Sequence, residues 1–226
     1  AALLIAAAAV LKSAQFPLHG WILEVMETPT PVSALLHAGI INAGGFLVLR
    51  FADVMSLSAP ALYLLAIIGG ATALFGSLVM LTQTSVKVSL AYSTIAQMGF
   101  MLLQCGLGAY AAALLHIVAH SLYKAHAFLS SGSVIDLLRA SWSPSPSGSP
   151  HPARFALALL FTVSAAVAVG WAFGATLADK PGAFVLGAVL MMGLTLLVAN
   201  AFDARPNAYV VGRTLVSAVA VGVFYF

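Results

Sequence analysis

Charged residues are scarce in this sequence. Only 7% of its 226 residues are Asp, Glu, Lys or Arg, whereas about 25% are charged in a typical soluble domain. Hydrophobic residues make up 62% of the chain, and the mean hydropathy is +1.06. The composition therefore excludes an ordinary soluble domain and predicts a polytopic membrane protein whose main surroundings are the lipid bilayer.

Cysteine and basic residues are too few for several other classes of function. Cys105 stands alone, so the sequence offers neither an internal disulfide nor a thiolate metal site. The net charge of +3 comes from few groups, so no basic patch for nucleic acid is present. No motif for a nucleotide, flavin, haem or iron–sulfur cluster occurs either. We therefore expect no cofactor and no catalytic centre in this chain, and any redox chemistry would belong to partner subunits.

Apolar segments bounded by polar residues, proline or glycine predict an all-α bundle of seven to eight membrane spans. The expected spans are residues 1–27, 32–52, 60–81, 88–107, 109–131, 155–178, 182–202 and 208–226. The short links after the first three spans predict antiparallel neighbours. Small residues would let these helices approach closely in lipid; they are Gly39, Ala43, Gly44, Gly45, Gly69, Gly70, Gly76 and Ser77.

The first span is expected to be a discontinuous helix, broken at residues 12–17. Pro17 lacks the N–H that would bond the carbonyl of Ser13, and the side chains of Ser13 and Gln15 can help to satisfy that carbonyl. Lys12 lies beside the break at about midplane depth. A lysine there costs on the order of 3 kcal/mol on insertion scales, so it is expected to face a partner or a wet cavity.

A Ser/Pro-rich segment divides the chain. We expect a transporter core at residues 1–136, an exposed loop at residues 137–154 and C-terminal transmembrane helices at residues 155–226. Basic residues are more frequent on the side of the membrane that carries this loop, which places the loop in the cytoplasm. Those residues are Lys87, Arg139, Arg154, Arg205 and Arg213, against Arg50 and Lys180 on the other side. Since the chain begins and ends within predicted helices, we expect it to be a fragment of a longer protein.

The fifth span carries three titratable residues at four-residue intervals. His116, His120 and Lys124 form one stripe along this helix. Histidines four residues apart can hold a metal, but no carboxylate or thiolate lies nearby in sequence and a lysine is the next member. We therefore expect no metal site.

Another histidine, His37, lies within a different predicted membrane span. A single histidine on an apolar helix is more often a hydrogen-bonded core residue than a proton carrier, and this reading stays open for His37. In a chain with so few charges, however, Lys12, His37 and the stripe together predict a hydrated path. Histidine and a desolvated lysine can both exchange protons near neutral pH, so the chemistry implied is a proton relay.

Four further residues are secondary candidates. Glu24 and Glu27 lie near the cytoplasmic boundary, where solvation or helix capping is an equal alternative to proton entry. Lys87 sits at a helix end, where interfacial anchoring is the default. His126 can join the stripe or face another helix.

Several motifs resemble the proton-conducting antiporter-like membrane subunits of respiratory complex I and of Mrp cation/proton antiporters. The resemblance covers residues 1–136. Its motifs are KSAQFPLHGW at 12–21, METPTPVSALLHA at 26–38, LTQT at 81–84 with Lys87, LAYST at 90–94, the stripe residues and FLSSGSVI at 128–135.

This resemblance implies roles for particular residues. Lys12 would be the family's central lysine, His37 the histidine of the next helix, and His116, His120 and Lys124 the relay in mid-membrane. The glutamate that partners the central lysine is expected upstream of this chain. Spans 155–178 and 182–202 lack the ionisable residue that complex I relatives carry on a second broken helix, which leaves the exit route open.

Two stretches are more similar to one branch of the family. HGWILEVMET at 19–28 and HAGIINAGGF at 37–46 resemble DabB-type subunits, which partner a zinc-containing cytoplasmic protein in bacterial inorganic-carbon uptake. This implies a multi-pass subunit of the bacterial inner membrane in which proton flux energises capture of carbon dioxide as bicarbonate. A proton-pumping subunit similar to subunit L of NADH-quinone oxidoreductase, an Mrp-type antiporter subunit and a non-conducting scaffold remain alternatives.

Overall fold

The computed structural model describes residues 1–131, 151–174, 181–202 and 208–225, and over these ranges it contains helices and no strand. The chain forms two compact units, Ala1–Trp142 and Ser143–Phe226. The Ser/Pro-rich loop predicted at 137–154 falls mostly outside the described residues, so the division into a core, a loop and a tail stays a prediction.

The first unit has eight α-helices within residues 1–131. They are α1 (Ala2–Lys12), α2 (Gly20–Glu24), α3 (Thr30–Ala38), α4 (Ala43–Arg50), α5 (Ala52–Ser56), α6 (Ala59–Thr82), α7 (Val86–Gly106) and α8 (Tyr110–Ser130). Short 3-10 turns at Val25–Glu27 and Ile40–Asn42 follow α2 and α3. The link predicted at 53–59 is therefore partly helical, because α5 occupies it.

The second unit has three helices in its described part: α9 (Pro152–Ala172), α10 (Pro181–Ala201) and α11 (Ala208–Tyr225). Their buried side chains are almost all aliphatic. The exceptions are Thr162 and Thr195, whose hydroxyls lie 2.8 Å apart and also bond carbonyls of their own helices. Helix α9 ends at Ala172, six residues before the predicted end of that span.

Within the described residues, five segments are long and apolar enough to cross a membrane. They are Thr30–Arg50, Ala59–Thr82, Val86–Gly106, Pro152–Ala172 and Phe184–Ala201, and shorter apolar helices occur at Ala2–Lys12 and Val211–Val223. Helix α8 has 21 residues, which is also sufficient in length. The expectation of an all-α polytopic bundle is confirmed.

The predicted break in the first span is present. Helix α1 ends at Lys12, and the chain becomes helical again only at Gly20. The carbonyl of Ser13, which Pro17 cannot satisfy, accepts a hydrogen bond from Gln15 Nε2 at 2.8 Å. Of the two side chains that the sequence offered for this carbonyl, Gln15 bonds it, whereas the Ser13 hydroxyl has no partner among the described residues.

The break is also tied to α6. Ala14 adopts a left-handed backbone conformation with φ 48°, which turns the chain out of the helical path. The N–H of Phe16 donates to Thr72 Oγ1 at 3.1 Å, and that hydroxyl donates to the Ile68 carbonyl at 2.7 Å. One threonine of α6 thus stabilises the non-helical backbone of the first span.

A second break interrupts the segment predicted as one continuous helix at 32–52. Helix α3 ends at Ala38, and Gly39 has φ −116° and ψ −76°. Asn42 explains the interruption: its side-chain Nδ2 donates to the Ala38 carbonyl at 2.7 Å, while its backbone N–H bonds Gly39 instead. Asparagine side chains compete with the helical backbone in this way, which the apolar pattern did not reveal.

Glycines allow close packing between α6 and α7. A Cβ at Gly69 would lie 2.6 Å from the Gly99 carbonyl oxygen and 2.6 Å from the Leu103 nitrogen, and one at Gly76 would lie 2.8 Å from the Ala96 nitrogen. The backbones therefore touch directly, as small residues allow in lipid. Helix α8 packs against α3, α4 and α7, so the inner face of α8 is covered by three helices.

The pair Gly69 and Gly70 provides a test of this contact. Gly69→Ala should lower the free energy of unfolding by about 1–3 kcal/mol relative to Gly70→Ala, because overpacking costs energy at the first position. A Cβ at Gly70 meets only Leu103 Cδ1, at 3.9 Å. Both changes replace glycine by alanine in the same helix, so they raise helix propensity equally. The difference between their thermal unfolding midpoints in detergent therefore reports the contact between α6 and α7. Equal unfolding midpoints for the two variants would contradict the packing described.

Candidate functional site

The inner face of α8 carries the stripe predicted from the sequence. His120 is 1% exposed and Lys124 is 0% exposed, while His116 is half-buried. Their four-residue spacing places them on one side of the helix, and α3, α4 and α7 cover that side. Three titratable side chains therefore lie on the covered side of this helix.

Lys124 is buried without an acidic partner in the described part of the chain. Its Nζ donates to the Leu90 carbonyl of α7 at 3.1 Å and lies 5.3 Å from the centre of the Tyr123 ring. Charged side chains in a membrane interior usually pair with another charge or mark a functional path. Burial away from a carboxylate is the setting in which a lysine can release its proton.

His37 approaches the Lys124 end of the stripe from α3. Its ring is fully buried and stacks on Phe128, one helical turn beyond Lys124, with ring centres 4.3 Å apart. His37 Nε2 lies 3.2 Å from Met26 Sδ, and its Nδ1 has no hydrogen-bond partner among the described residues. The structure thus brings His37 and Lys124 together across two helices.

His120 occupies the middle of the cluster. Its ring centre is 6.0 Å from that of His116 and 5.6 Å from that of Tyr123. Neither ring nitrogen has a hydrogen-bond partner among the described residues. Buried polar atoms are nearly always hydrogen-bonded, so a side chain with two such atoms requires water or a change of rotamer.

His116 has a partner that the sequence reasoning missed. Its Nδ1 lies 2.9 Å from Oε1 of Gln104, a 7% exposed residue near the end of α7. Phe100 packs beside the ring at a centroid distance of 5.8 Å. In the sequence, Gln104 stands out only as a polar residue in an apolar helix. Its contact with His116 is created by the turn between α7 and α8, which the sequence pattern does not reveal.

Lys87 makes tertiary contacts rather than only anchoring a helix end. Its Nζ donates to the carbonyl of Met26 at 2.9 Å and to that of Thr28 at 2.8 Å. These carbonyls belong to the 3-10 turn after α2 and the residue that follows it. Because Met26 also contacts His37, Lys87 fixes the segment that lies against the buried histidine.

The structure does not bring every candidate into the cluster. Lys12 is exposed at the end of α1, which packs against α4 and α6, and it makes no hydrogen bond or ion pair within the described ranges. A cation at a helix C-terminus is favoured by the helix dipole. Glu24, Glu27 and His126 are exposed as well.

Buried polar atoms without a partner gather in two regions of the first unit. One region is the break in the first span, and the other is the cluster around α8 and the second break. Together they comprise Ser13 Oγ, Gln15 Oε1, His19 Nδ1, His37 Nδ1, Asn42 Oδ1 and both ring nitrogens of His120. Lys12 is next to the first region, whose Ser13 hydroxyl lies beside Gly44, two residues beyond Asn42.

The titratable members of the cluster are all bases. No group of three His, Cys, Asp or Glu side chains suited to a metal ion occurs in the part of the chain that the structure describes. The neighbouring groups are an amine, three imidazoles and neutral amide or backbone oxygens. Such groups can take up and pass on protons.

Comparison with known proteins places this arrangement in a family. The family described as NADH:quinone oxidoreductase/Mrp antiporter, TM, matches residues 1–198. Its description is that of transmembrane proteins, in agreement with the apolar helices.

Two bacterial relatives are similar over long stretches. The probable inorganic carbon transporter subunit DabB2 of Halothiobacillus neapolitanus is 62% identical over 139 residues, which are 62% of this chain and 25% of that protein. The probable inorganic carbon transporter subunit DabB of Hydrogenovibrio crunogenus is 45% identical over 224 residues, which are 99% of this chain and 42% of that protein. The chain thus spans less than half the length of either relative.

A solved structure is also similar. The Mrp complex from Dietzia sp. DQ12-45-1b contains a chain that matches with a TM-score of 0.61 and 30% sequence identity, over 98% of this chain and 27% of that one. The shared fold and the family match agree with the motifs at residues 12–38 and 81–135. The chain belongs to the NADH:quinone oxidoreductase/Mrp antiporter family of transmembrane proteins.

Proposed function

We propose that this chain is part of the proton-conducting membrane subunit of a complex that takes up inorganic carbon. The observation that carries the proposal is the buried cluster of His37, His120 and Lys124, which lacks an acidic partner among the described residues. The carbon-uptake branch is supported by relatives of 45% and 62% identity that are named as probable inorganic carbon transporter subunits.

Protons would pass along α8 in single steps between neighbouring bases. The ring centres of His116 and His120 are 6.0 Å apart, which is too far for a direct hydrogen bond in this arrangement. A bridging water would accept a proton from one ring and donate one of its own protons to the neighbouring ring. The unpartnered nitrogens of His120 are available for such waters. Lys124 would exchange its ammonium proton with the same row of waters and imidazole rings.

Lys12 belongs to the proposal as a separate carrier at the break in the first span. The unpartnered atoms of Ser13, Gln15 and His19 make that break polar, and the resemblance assigns the family's central lysine to this position. Since Lys12 is exposed, the path from it to the cluster would run through water or through other parts of the full-length protein. The secondary candidates Glu24, Glu27 and His126, which are exposed, are left outside this proposed path.

The partner and the orientation follow from the same proposal. A zinc-containing cytoplasmic protein would capture carbon dioxide as bicarbonate, and the membrane subunit would lie in the bacterial inner membrane. The excess of basic residues on the side of the Ser/Pro-rich loop supports a cytoplasmic position for residues 137–154. Residues 1–136 would be the conducting core and residues 155–226 C-terminal membrane helices.

A second candidate function is that of an Mrp-type antiporter subunit or a complex I pump subunit. The specific observation in its favour is the similarity to a chain of the Dietzia Mrp complex over 98% of the present chain. The same cluster would then exchange protons under the control of other subunits. Identities of 45–62% to the carbon transporter subunits favour the first candidate.

If the stripe conducts protons, removing the buried amine of Lys124 should reduce proton flux. In the full-length protein reconstituted with its partner, Lys124→Met should reduce proton flux into liposomes by about 10²-fold, which is typical of the loss of a positioned proton-transfer group. His126→Gln, a change on the exposed side of the same helix, is the control and should retain flux. Undiminished flux in Lys124→Met liposomes would refute the relay.

Replacing Lys87 should lower stability, whereas replacing Lys12 should lower proton flux with little effect on stability. Lys87→Met removes two hydrogen bonds from an ammonium group and should lower the free energy of unfolding by about 1.5–3 kcal/mol. Lys12→Met should change it by less than about 1 kcal/mol, because Lys12 is exposed and unpartnered in the described structure, yet it should reduce proton flux. Thermal unfolding in detergent and liposome flux measure the two effects. A larger loss of stability in the Lys12 variant would contradict these assignments.

The carbon-uptake branch predicts growth rescue. Co-expression of the full-length subunit with its cytoplasmic partner should let a host lacking carbonic anhydrase grow in ambient air, because bicarbonate would accumulate. The Lys124→Met subunit, expressed at the same level, should fail to do so. Rescue by the mutant, or failure of the wild type when both proteins are in the membrane fraction, would count against this branch.

A further inference from the structure

We propose that Gln104 is a positioning residue that holds His116 so that only its Nε2 exchanges protons with the stripe. This inference rests on the proton-conducting function proposed above and specifies one step of it. Gln104 lies on α7, whereas the relay residues lie on α8 and α3, and no motif in the sequence connected it with them.

The geometry assigns the two nitrogens of His116 different tasks. Gln104 Oε1 lies 2.9 Å from Nδ1. A carbonyl oxygen only accepts, so Nδ1 carries a hydrogen and donates it. A neutral imidazole has one donor and one acceptor nitrogen, which leaves the lone pair on Nε2. In this tautomer Nε2 is the nitrogen that can receive a proton.

The transfer step then requires no rotation of the ring. Nε2 takes a proton from a water bridged to His120, and the ring becomes an imidazolium that holds one proton on each nitrogen. Nε2 then gives this proton to another water that has replaced the first, and the ring returns to the starting tautomer. The hydrogen on Nδ1 remains bonded to Gln104 throughout.

An amide suits this role better than a carboxylate. A carboxylate beside Nδ1 would favour the charged ring and retain the proton, whereas an amide oxygen orients the ring without adding charge. The groups facing His116 support this assignment: α7 presents Gln104 and Phe100, which are neutral, and α8 presents the titratable His120. Orientation by a second residue is a common way to set a histidine tautomer.

The Gln104 side chain can be changed without removing the turn between α7 and α8. Its backbone carbonyl accepts the N–H of Ala109 at 2.9 Å, and the N–H of Leu107 bonds the Leu103 carbonyl at 2.9 Å. These bonds are made by main-chain atoms and persist in side-chain variants. Gln97, a half-buried residue on the same helix without a hydrogen-bonded side chain in the described structure, offers a matched control.

The test measures proton flux against pH for full-length protein with its partner in liposomes. Gln104→Leu should reduce flux by about 10-fold, because His116 loses the acceptor that orients it. Gln104→Glu should move the midpoint of the pH dependence up by about one unit or more, because a carboxylate favours the protonated ring. Gln97→Leu should match the wild type in both respects.

The outcomes separate this inference from the function on which it rests. Wild-type flux in Gln104→Leu, or an unmoved pH midpoint in Gln104→Glu, would overturn the positioning role while Lys124→Met still blocks conduction. Full conduction by Lys124→Met would instead overturn the proposed relay, whatever the Gln104 variants do. If Gln104→Leu fails to fold, the near-isosteric Gln104→Glu decides through its pH midpoint.

Discussion

The constraint on which this structure depends is that backbone polar groups in lipid must be satisfied within the protein. Two spans of the first unit nevertheless leave the helical path, at residues 13–19 and 39–42. Each break carries its own compensation. Gln15 bonds a freed carbonyl of the first break and Thr72 receives the Phe16 N–H, whereas Asn42 bonds both Ala38 and Ser121 at the second. The non-helical backbone is therefore held by side chains within the breaks and by Thr72 of a neighbouring helix, and some of the buried polar atoms that lack a partner in the described structure lie at these positions.

The buried basic cluster follows from the same packing. Helices α6 and α7 meet through glycines, and α8 packs against α7, α3 and α4. This arrangement covers the inner face of α8 and places Lys124 and His120 out of contact with solvent. Among the described residues, Lys124 bonds one backbone carbonyl and has no acidic partner, which distinguishes it from a structural ion pair. The cluster is therefore suited to exchange protons rather than to stabilise the fold.

Residues outside the stripe determine how this cluster is held. Lys87 bonds two carbonyls of the turn that brings Met26 to His37, and Gln104 bonds the ring of His116. Each of them acts on the buried cluster through another residue. Lys12, by contrast, is exposed on α1 in this chain, so its proposed role depends on surroundings supplied by the full-length protein rather than on the cluster itself.

The sequence by itself determined the class of protein and the position of the stripe. Hydrophobic runs set the spans, Pro17 set the first break, and four-residue spacing set the stripe, because each of these depends on local backbone geometry or on burial in lipid. The motifs also indicated the family. Tertiary structure alone decided the rest: that Gln104 bonds His116, that Asn42 interrupts the second span, that Lys87 bonds a distant turn, and that Lys12 lies apart from the cluster. These features depend on which helices meet, and contacts between residues distant in the chain leave no periodic signal in a single sequence.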